Sequence, residues 1–342
     1  MNTFEAMDSV YIIAEIGVNH NGDTQLAKKM IDAAKEAGAN AVKFQTFEAK
    51  RLALPDTPKV EYQLNATNSE SHYEMLEMLE LSQDDHLYLL DYCNTCRIDF
   101  ISTPYDVVSA KFLNAIGVKC FKTASADLVD HSLHHYIAST GKSSIIATGM
   151  ASLEEIEQVV KIYKKFNNNN IVLLHCVSNY PCSDHALNMR SMVTMRQCFD
   201  LPVGFSDHSD GAVAGIMSVA FGSKVIEKHF TLDRNMPGPD HKASSTPEEF
   251  SYLVKSIRRA ETMMGRGYKF CQPEEREMAL VSKKSIVLKR FLQAGSFLTE
   301  GDIEFKRPGA GISPVYAEEI LGRVLKHDCN ANYQLKWTDL ES

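Results

Sequence analysis

A (β/α)8 barrel followed by a small C-terminal module is the fold class that the sequence predicts, and three observations predict it. Eight short runs rich in Val, Ile, Leu and Phe alternate with amphipathic stretches over about 265 residues, the usual size of such a barrel. The runs show little polar alternation, as expected of parallel strands covered on both faces. Each run ends in hydroxyl, amide or ionisable side chains, and the carboxyl ends of the strands are where a barrel keeps its chemistry. A doubly wound open sheet is the alternative. The count of eight and the lack of a glycine-rich nucleotide fingerprint weigh against it.

The strands are expected at Val10–Ile16, Ala41–Gln45, Ile98–Thr103, Lys119–Ala124, Ser144–Thr148, Ile171–Cys176, Pro202–Ser206 and Lys224–His229. Helical periodicity covers Thr24–Ala37, which stops at Gly38, then Asp84–Cys96, Val107–Ile116, Leu153–Phe166 and Pro247–Met264. Ser152-Leu-Glu-Glu155 has the spacing of a capping box. One insertion breaks the rhythm. Residues 48–83, containing Tyr62-Gln-Leu-Asn-Ala-Thr-Asn68, form a long excursion after the second strand, the kind of segment that serves as a lid. The boundaries expected are a barrel over 1–267, a linker with a short helix over 268–283 and a module over 284–342. About 60 residues of short strands and turns bury little core alone, so the module is expected to dock on a barrel, its own or a partner's.

Bulk properties exclude several classes. A net charge of −8 and a pI near 5.9 provide no basic footprint for nucleic acid. No apolar run approaches the ~20 residues that span a bilayer, and the first residues lack the pattern of a signal peptide. The eight cysteines are scattered; only Cys93 and Cys96 are close, with no second pair to complete a zinc site. They read as one turn of a helix in a reducing compartment, hence a cytoplasmic enzyme.

In chain order the strand ends carry Glu15 with Asn19 and His20, Lys43 and Gln45, Thr103, Lys122 and Ser125, Thr148, Ser178 and Tyr180, then Ser206, Asp207 and His208, and finally Glu227 and His229. Two imidazoles ending successive strands, with Asp207 alongside, suit a divalent metal. Lys43 and Lys122 sit among apolar neighbours, where a lysine is costly without a counter-charge. An anionic substrate or a carboxylate partner answers that cost, and the four hydroxyls of Thr103, Ser125, Ser178 and Ser206 suit phosphate or carboxylate oxygens. Chemistry alone therefore indicates a metal-dependent barrel enzyme acting on an anionic small molecule. Aldolases, isomerases and phosphoenolpyruvate-using synthases all fit.

The ordered motifs resemble those of the sialic acid synthase family. They are Ala14-Glu-Ile-Gly-Val-Asn-His-Asn-Gly22, Ala41-Val-Lys-Phe-Gln-Thr46, Ser102-Thr-Pro104, Ala147-Thr-Gly-Met150, Leu174-His-Cys176, Gly204-Phe-Ser-Asp-His208, Ile226-Glu-Lys-His-Phe-Thr-Leu-Asp233, Gly238-Pro-Asp-His241 and Lys306-Arg-Pro-Gly309. The resemblance implies a TIM barrel with a C-terminal antifreeze-like (SAF) domain of the β-clip type. It implies condensation of phosphoenolpyruvate with open-chain N-acetylmannosamine to N-acetylneuraminic acid and phosphate. A legionaminic acid synthase using 2,4-diacetamido-2,4,6-trideoxymannose is the alternative, and an inactive sugar-binding scaffold is the alternative of another class.

Carried over by resemblance, His208 and His229 hold a divalent ion, Mn2+ first, with Mg2+ or Co2+ as substitutes. Lys43, Thr103, Lys122, Ser125, Ser178 and Ser206 hold phosphoenolpyruvate. Gln45, Tyr180 and Asp240 contact the sugar, and Glu15 sits by the reacting groups. The family swaps its SAF domain onto the partner in a homodimer, so that Arg307 would reach the N-acyl group of the sugar. Two departures stand out. Ser125-Ala-Asp127 replaces the usual Ser-Gly-Glu, whose carboxylate is thought to act in proton transfer. Ala147-Thr-Gly-Met150 replaces Ser-Thr-Gly-Met and removes one hydroxyl.

Overall fold

The structure is a computed structural model and describes residues 2–59 and 71–341. The Tyr62–Asn68 motif lies outside them. The chain divides into two units, one ending at Gly265 and the other beginning at Arg266.

The first unit is built on eight parallel strands: β1 (Tyr11–Gly17), β2 (Ala41–Thr46), β3 (Asp99–Pro104), β4 (Cys120–Thr123), β5 (Ser143–Ala147), β6 (Ile171–His175), β7 (Val203–Asp207) and β8 (Ser223–His229). Their order in the sheet is β3-β2-β1-β8-β7-β6-β5-β4, and β3 and β4 lie side by side without a ladder joining them, so the barrel is nearly closed. All eight expected strands are present, with ends shifted by a residue or two. Helices Thr24–Glu36, Gln83–Cys96, Val107–Ala115, Leu153–Lys165 and Pro247–Met264 occupy the expected places. Cys93 and Cys96 are free thiols on the second of these. Among the described residues four α-helices carry side-chain capping boxes, including the expected Ser152 with Glu155 and also Thr246 with Glu249.

Side-chain alternation along the strands divides the core in two. Outward-facing Ile12, Ala14, Val42 and Phe44 pack with the helices in the larger cluster. Inward-facing Ile13, Ala41, Ile101, Ile145, Val172, Leu174 and Val225 fill the lower barrel, together with Phe4. On four of the strands the same inward rows turn polar two residues further along: Ile13 is followed by Glu15, Ala41 by Lys43, Ile101 by Thr103 and Val225 by Glu227. Register then sets neighbours. Glu15 is paired with Lys43 of β2 on one side and with His229 of β8 on the other.

The second unit has two antiparallel strands, β9 (Ser285–Leu288) and β10 (Ile303–Lys306), around a core of Ile286, Leu288, Leu298, Ile320, Leu325 and Leu335. The stretch expected as linker contains a helix, Arg276–Ser282. No helix among the described residues is long and apolar enough to cross a membrane.

Candidate active site

A cavity of about 590 Å3 opens where the strands end, and every barrel residue expected to serve substrate, metal or catalysis lines it except Asp127. Its floor is a buried quartet of opposite charges. Lys43 Nζ lies 2.8 Å from Glu15 and donates to Thr103 Oγ1 at 3.0 Å. Lys122 Nζ lies 3.4 Å from Glu227, whose Oε1 accepts from Ser206 Oγ at 3.1 Å. All four charged side chains are almost fully buried. Burial pushes the Glu15 carboxyl up to about 7 against the pull of Lys43, with a further push from Glu227. Burial opposes the charge of Glu227 too, but Lys122 and Lys43, then the two imidazoles, hold it down at about 2. Two adjacent carboxyls thus have separate proton affinities, an arrangement suited to acid–base work at one of them.

Gly17 makes this packing possible. Its φ is +56°, and a Cβ there would lie 3.1 Å from Glu15 Oε1 and 3.3 Å from Gln45 Nε2. Gly149 plays the same part across the cavity. It donates its N–H to Ser125 Oγ, and a Cβ would come within 2.5 Å of Ser178 Oγ and 2.9 Å of Ser125 Oγ.

The two histidines close the β7–β8 side, with ring centroids 5.7 Å apart. His208 Nδ1 is 2.8 Å from the Val177 carbonyl, an acceptor only, so the proton sits on Nδ1 and the lone pair on Nε2. His229 Nδ1 is buried without a hydrogen-bond partner, and Asp240 Oδ2 lies 3.9 Å from it. Burial lowers the pKa of both imidazoles, so both are neutral at pH 7. Burial also raises the Asp240 carboxyl to about 6, with Lys43 opposing. The Tyr180 ring packs 4.2 Å from His208 and 5.5 Å from His229. Two neutral imidazoles, that of His208 with its tautomer fixed, and the carboxyl of Asp240 beside His229 are a donor set that fits a divalent ion. Among the described residues no group of three His, Cys, Asp or Glu side chains converges for such an ion.

Four strand-end residues do not line this cavity: Asp207, Thr148, Asn19 and His20, the last buried with its Nδ1 accepting from Gly22 N. Asp207 points outward between Ser206 and His208, pairs with Lys228 at 2.9 Å and accepts from Ser209 N and Oγ. It is a buried clamp between β7 and β8, not a companion of the histidines. Thr148 donates to the Leu174 carbonyl, and Asn19 to the Phe230 carbonyl and Ser244 Oγ. Asp127 lies on a short 3-10 turn, Ser125–Val129, which carries Ser125 into the cavity and Asp127 out of its lining. Burial, then Asp130, pushes its carboxyl up to about 7, and its Oδ2 is buried without a hydrogen-bond partner. Arg307 follows β10 in the second unit, where it is exposed.

Several lining residues went unassigned at the sequence level. Glu227 stood out as a strand-end carboxylate, but only the Lys122 and Ser206 contacts give it a place. Tyr105 and Met150 lie at the edges of recognised motifs and carry no signal of their own. The largest omission is an apolar wall. The excursion after β2 contributes Leu52, Leu54, Met75, Leu76 and Leu79 to the cavity, and helix His72–Leu79 lies within that excursion.

Comparison with known proteins agrees with the motifs. Residues 30–269 match the model of the NeuB family, and residues 283–341 match the SAF domain. An N,N'-diacetyllegionaminic acid synthase of Legionella pneumophila is 44% identical over 97% of this chain and 95% of its own length. A protein of the same description from Campylobacter jejuni is 42% identical over 93% and 96%. The crystal structure of an N-acetylneuraminic acid synthetase from Leptospira borgpetersenii superimposes with a TM-score of 0.71 at 36% identity, covering 79% of this chain and 90% of that one. The motif order, the barrel and these matches agree, and the chain is an enzyme that belongs to the NeuB family and ends in a SAF domain.

Proposed function

We propose that the enzyme condenses phosphoenolpyruvate with 2,4-diacetamido-2,4,6-trideoxymannose and water, releasing N,N'-diacetyllegionaminic acid and phosphate. The observation that carries this choice is the pair of relatives named for that acid, at 44% and 42% identity over more than nine-tenths of the chain. The N-acetylneuraminic acid enzyme stands at 36%. The order of preference expected from the motifs, N-acetylmannosamine first, is therefore reversed. Phosphate release with each sugar tests it. Turnover of the diacetamido sugar is expected to exceed that of N-acetylmannosamine at equal concentration; the opposite order would overturn the choice.

Within this reading, Lys43 and Lys122 anchor the phosphate and carboxylate of phosphoenolpyruvate, assisted by Thr103, Ser125, Ser178 and Ser206. The anion loosens the hold of the carboxylates on both lysines, so a buried ion-pair network is exchanged for a buried substrate. His208 and His229 hold the divalent ion, which when bound supplies Lewis-acid polarisation of the sugar aldehyde. Tyr180, Gln45 and Asp240 orient the sugar so that its aldehyde carbon meets C3 of phosphoenolpyruvate. That bond leaves an oxocarbenium ion at C2 and an alkoxide on the former aldehyde oxygen; water adds to C2, the proton it gives up balances that alkoxide, and the C–O bond to phosphate breaks. Glu15, with a pKa near neutrality, takes the proton from the entering water.

Two tests bear on the binding roles. Gly149→Ala forces Ser125 and Ser178 apart and is expected to raise the KM for phosphoenolpyruvate by about tenfold or more, since small misplacements of positioning groups are costly. An unchanged KM would remove both hydroxyls from the anion site. For Arg307, we propose that the SAF domain is exchanged within a homodimer. Arg307→Ala mixed with a Lys122→Ala protein should then recover activity through hybrid dimers carrying one intact site. Lack of recovery under conditions where subunits exchange would place Arg307 in its own chain's site.

A further inference from the structure

The two sides of the cavity differ in chemistry. Charge and hydroxyls crowd the strand ends from β1 to β8. The excursion after β2 presents Leu52, Leu54, Met75, Leu76 and Leu79, joined by Val18 from the end of β1. Met75, Leu76, Leu79 and Val18 belong to a small apolar core of their own with Phe47 and Ala49, which stiffens the wall. Leu54 differs from them. It is 76% exposed yet lines the cavity, so it contributes little to that core and has an apolar surface free to be covered.

We infer that this wall selects a sugar whose far end is a methyl group, reading the 6-deoxy carbon of the substrate against Leu54 and its neighbours. The inference rests on the proposed reaction for the identity of the sugar. It adds the residues that recognise one substituent. In the proposed reaction the aldehyde end of the sugar is held by the histidines and Asp240, so its far end is the part left to meet the rest of the lining, which includes the wall. A methyl group there buries against side chains of matching polarity. A 6-hydroxyl gives up water on entering and meets carbon, which costs free energy unless a partner is found. Apolar pockets reject an added hydroxyl by a limited factor, on the order of 100. The wall is thus a filter of moderate strength, and the reaction centre is indifferent to it.

The test uses the full-length enzyme with Mn2+ and three sugars: 2,4-diacetamido-2,4,6-trideoxymannose, N-acetylmannosamine, and N-acetylmannosamine lacking its 6-hydroxyl. Comparison of the last two isolates the methyl group from the second acetamido group. The 6-deoxy sugar is expected to exceed N-acetylmannosamine in kcat/KM by about 10- to 100-fold. Leu54→Asn is expected to reduce that ratio to about threefold or less, with the KM for phosphoenolpyruvate unmoved. Equal use of the two sugars by the unaltered enzyme would overturn the inference. So would a ratio left unchanged by Leu54→Asn, whether both sugars lose activity alike or neither does. Preference for the 6-deoxy sugar together with failure to use the diacetamido sugar would uphold the wall and discard the legionaminic acid reading, so the two fail separately.

Discussion

Replacing His229 by alanine is expected to abolish Mn2+ binding and, with it, phosphate release, while the fold survives. The geometry separates the two consequences. His229 Nδ1 has no hydrogen-bond partner in the folded chain, so its removal strands no buried donor or acceptor. Its ring is neutral, so no charge is orphaned either. The loss falls on the ion, which would keep only the Nε2 of His208 from this side. Removing an outer partner of a metal ligand costs about 10- to 100-fold in affinity, and removal of a ligand itself should exceed that. Mn2+ electron paramagnetic resonance of the protein measures the affinity directly, and thermal unfolding in chelator checks the fold. Undiminished Mn2+ affinity in the variant would remove the metal from this site.

The second large effect is the converse, a loss of stability away from the cavity. Asp207→Ala is expected to destabilise the barrel by about 3–5 kcal/mol, the range for breaking a buried ion pair by removing one partner. Lys228 is the reason. Its ammonium lies in a nearly inaccessible position, 2.9 Å from Asp207 Oδ2 and 2.8 Å from the Ser209 carbonyl. Without Asp207 it retains one neutral acceptor. Asp207→Asn keeps one acceptor oxygen, enough for the ammonium or for Ser209 but not for both, and should cost less than alanine. Urea titration of the three proteins in chelator, without phosphoenolpyruvate, provides the comparison, because ligands would mask the difference by mass action. If the alanine variant unfolds at the same urea concentration as the parent, the clamp has no energetic role.

These two residues also show what the sequence makes legible. His208 and Asp207 are adjacent in one motif and read together as a metal-side pair. On a strand, adjacent side chains point to opposite faces, so the backbone splits them. The same alternation is why so much of the cavity is readable: Glu15, Lys43, Thr103, Lys122, Ser206 and Glu227 each lie on the inward face of a strand. Strand detection succeeds because both faces of each run are apolar over a fixed length. Helix detection fails at Val213–Ala220, which is apolar all round, and at His131–Ser139, whose three histidines blur the amphipathic pattern. Loops are harder still. Nothing in Ser125-Ala-Asp127 signals a 3-10 turn that sends its two polar ends to different places. The apolar wall lies in a segment recognisable only as an excursion, since its helix does not repeat the barrel's period.

The unladdered seam between β3 and β4 has a further consequence. Thr103 and Lys122 stand on opposite banks of that seam, one on each strand. An anion gripped by both would span the one join in the barrel that backbone hydrogen bonds leave open. Occupancy would then act as a keystone: the empty barrel can breathe along this line, and the filled one cannot. Slow amide exchange along β3 and β4 would become a property of the loaded enzyme, and the spacing of the two anchors would be set by the guest as much as by the host.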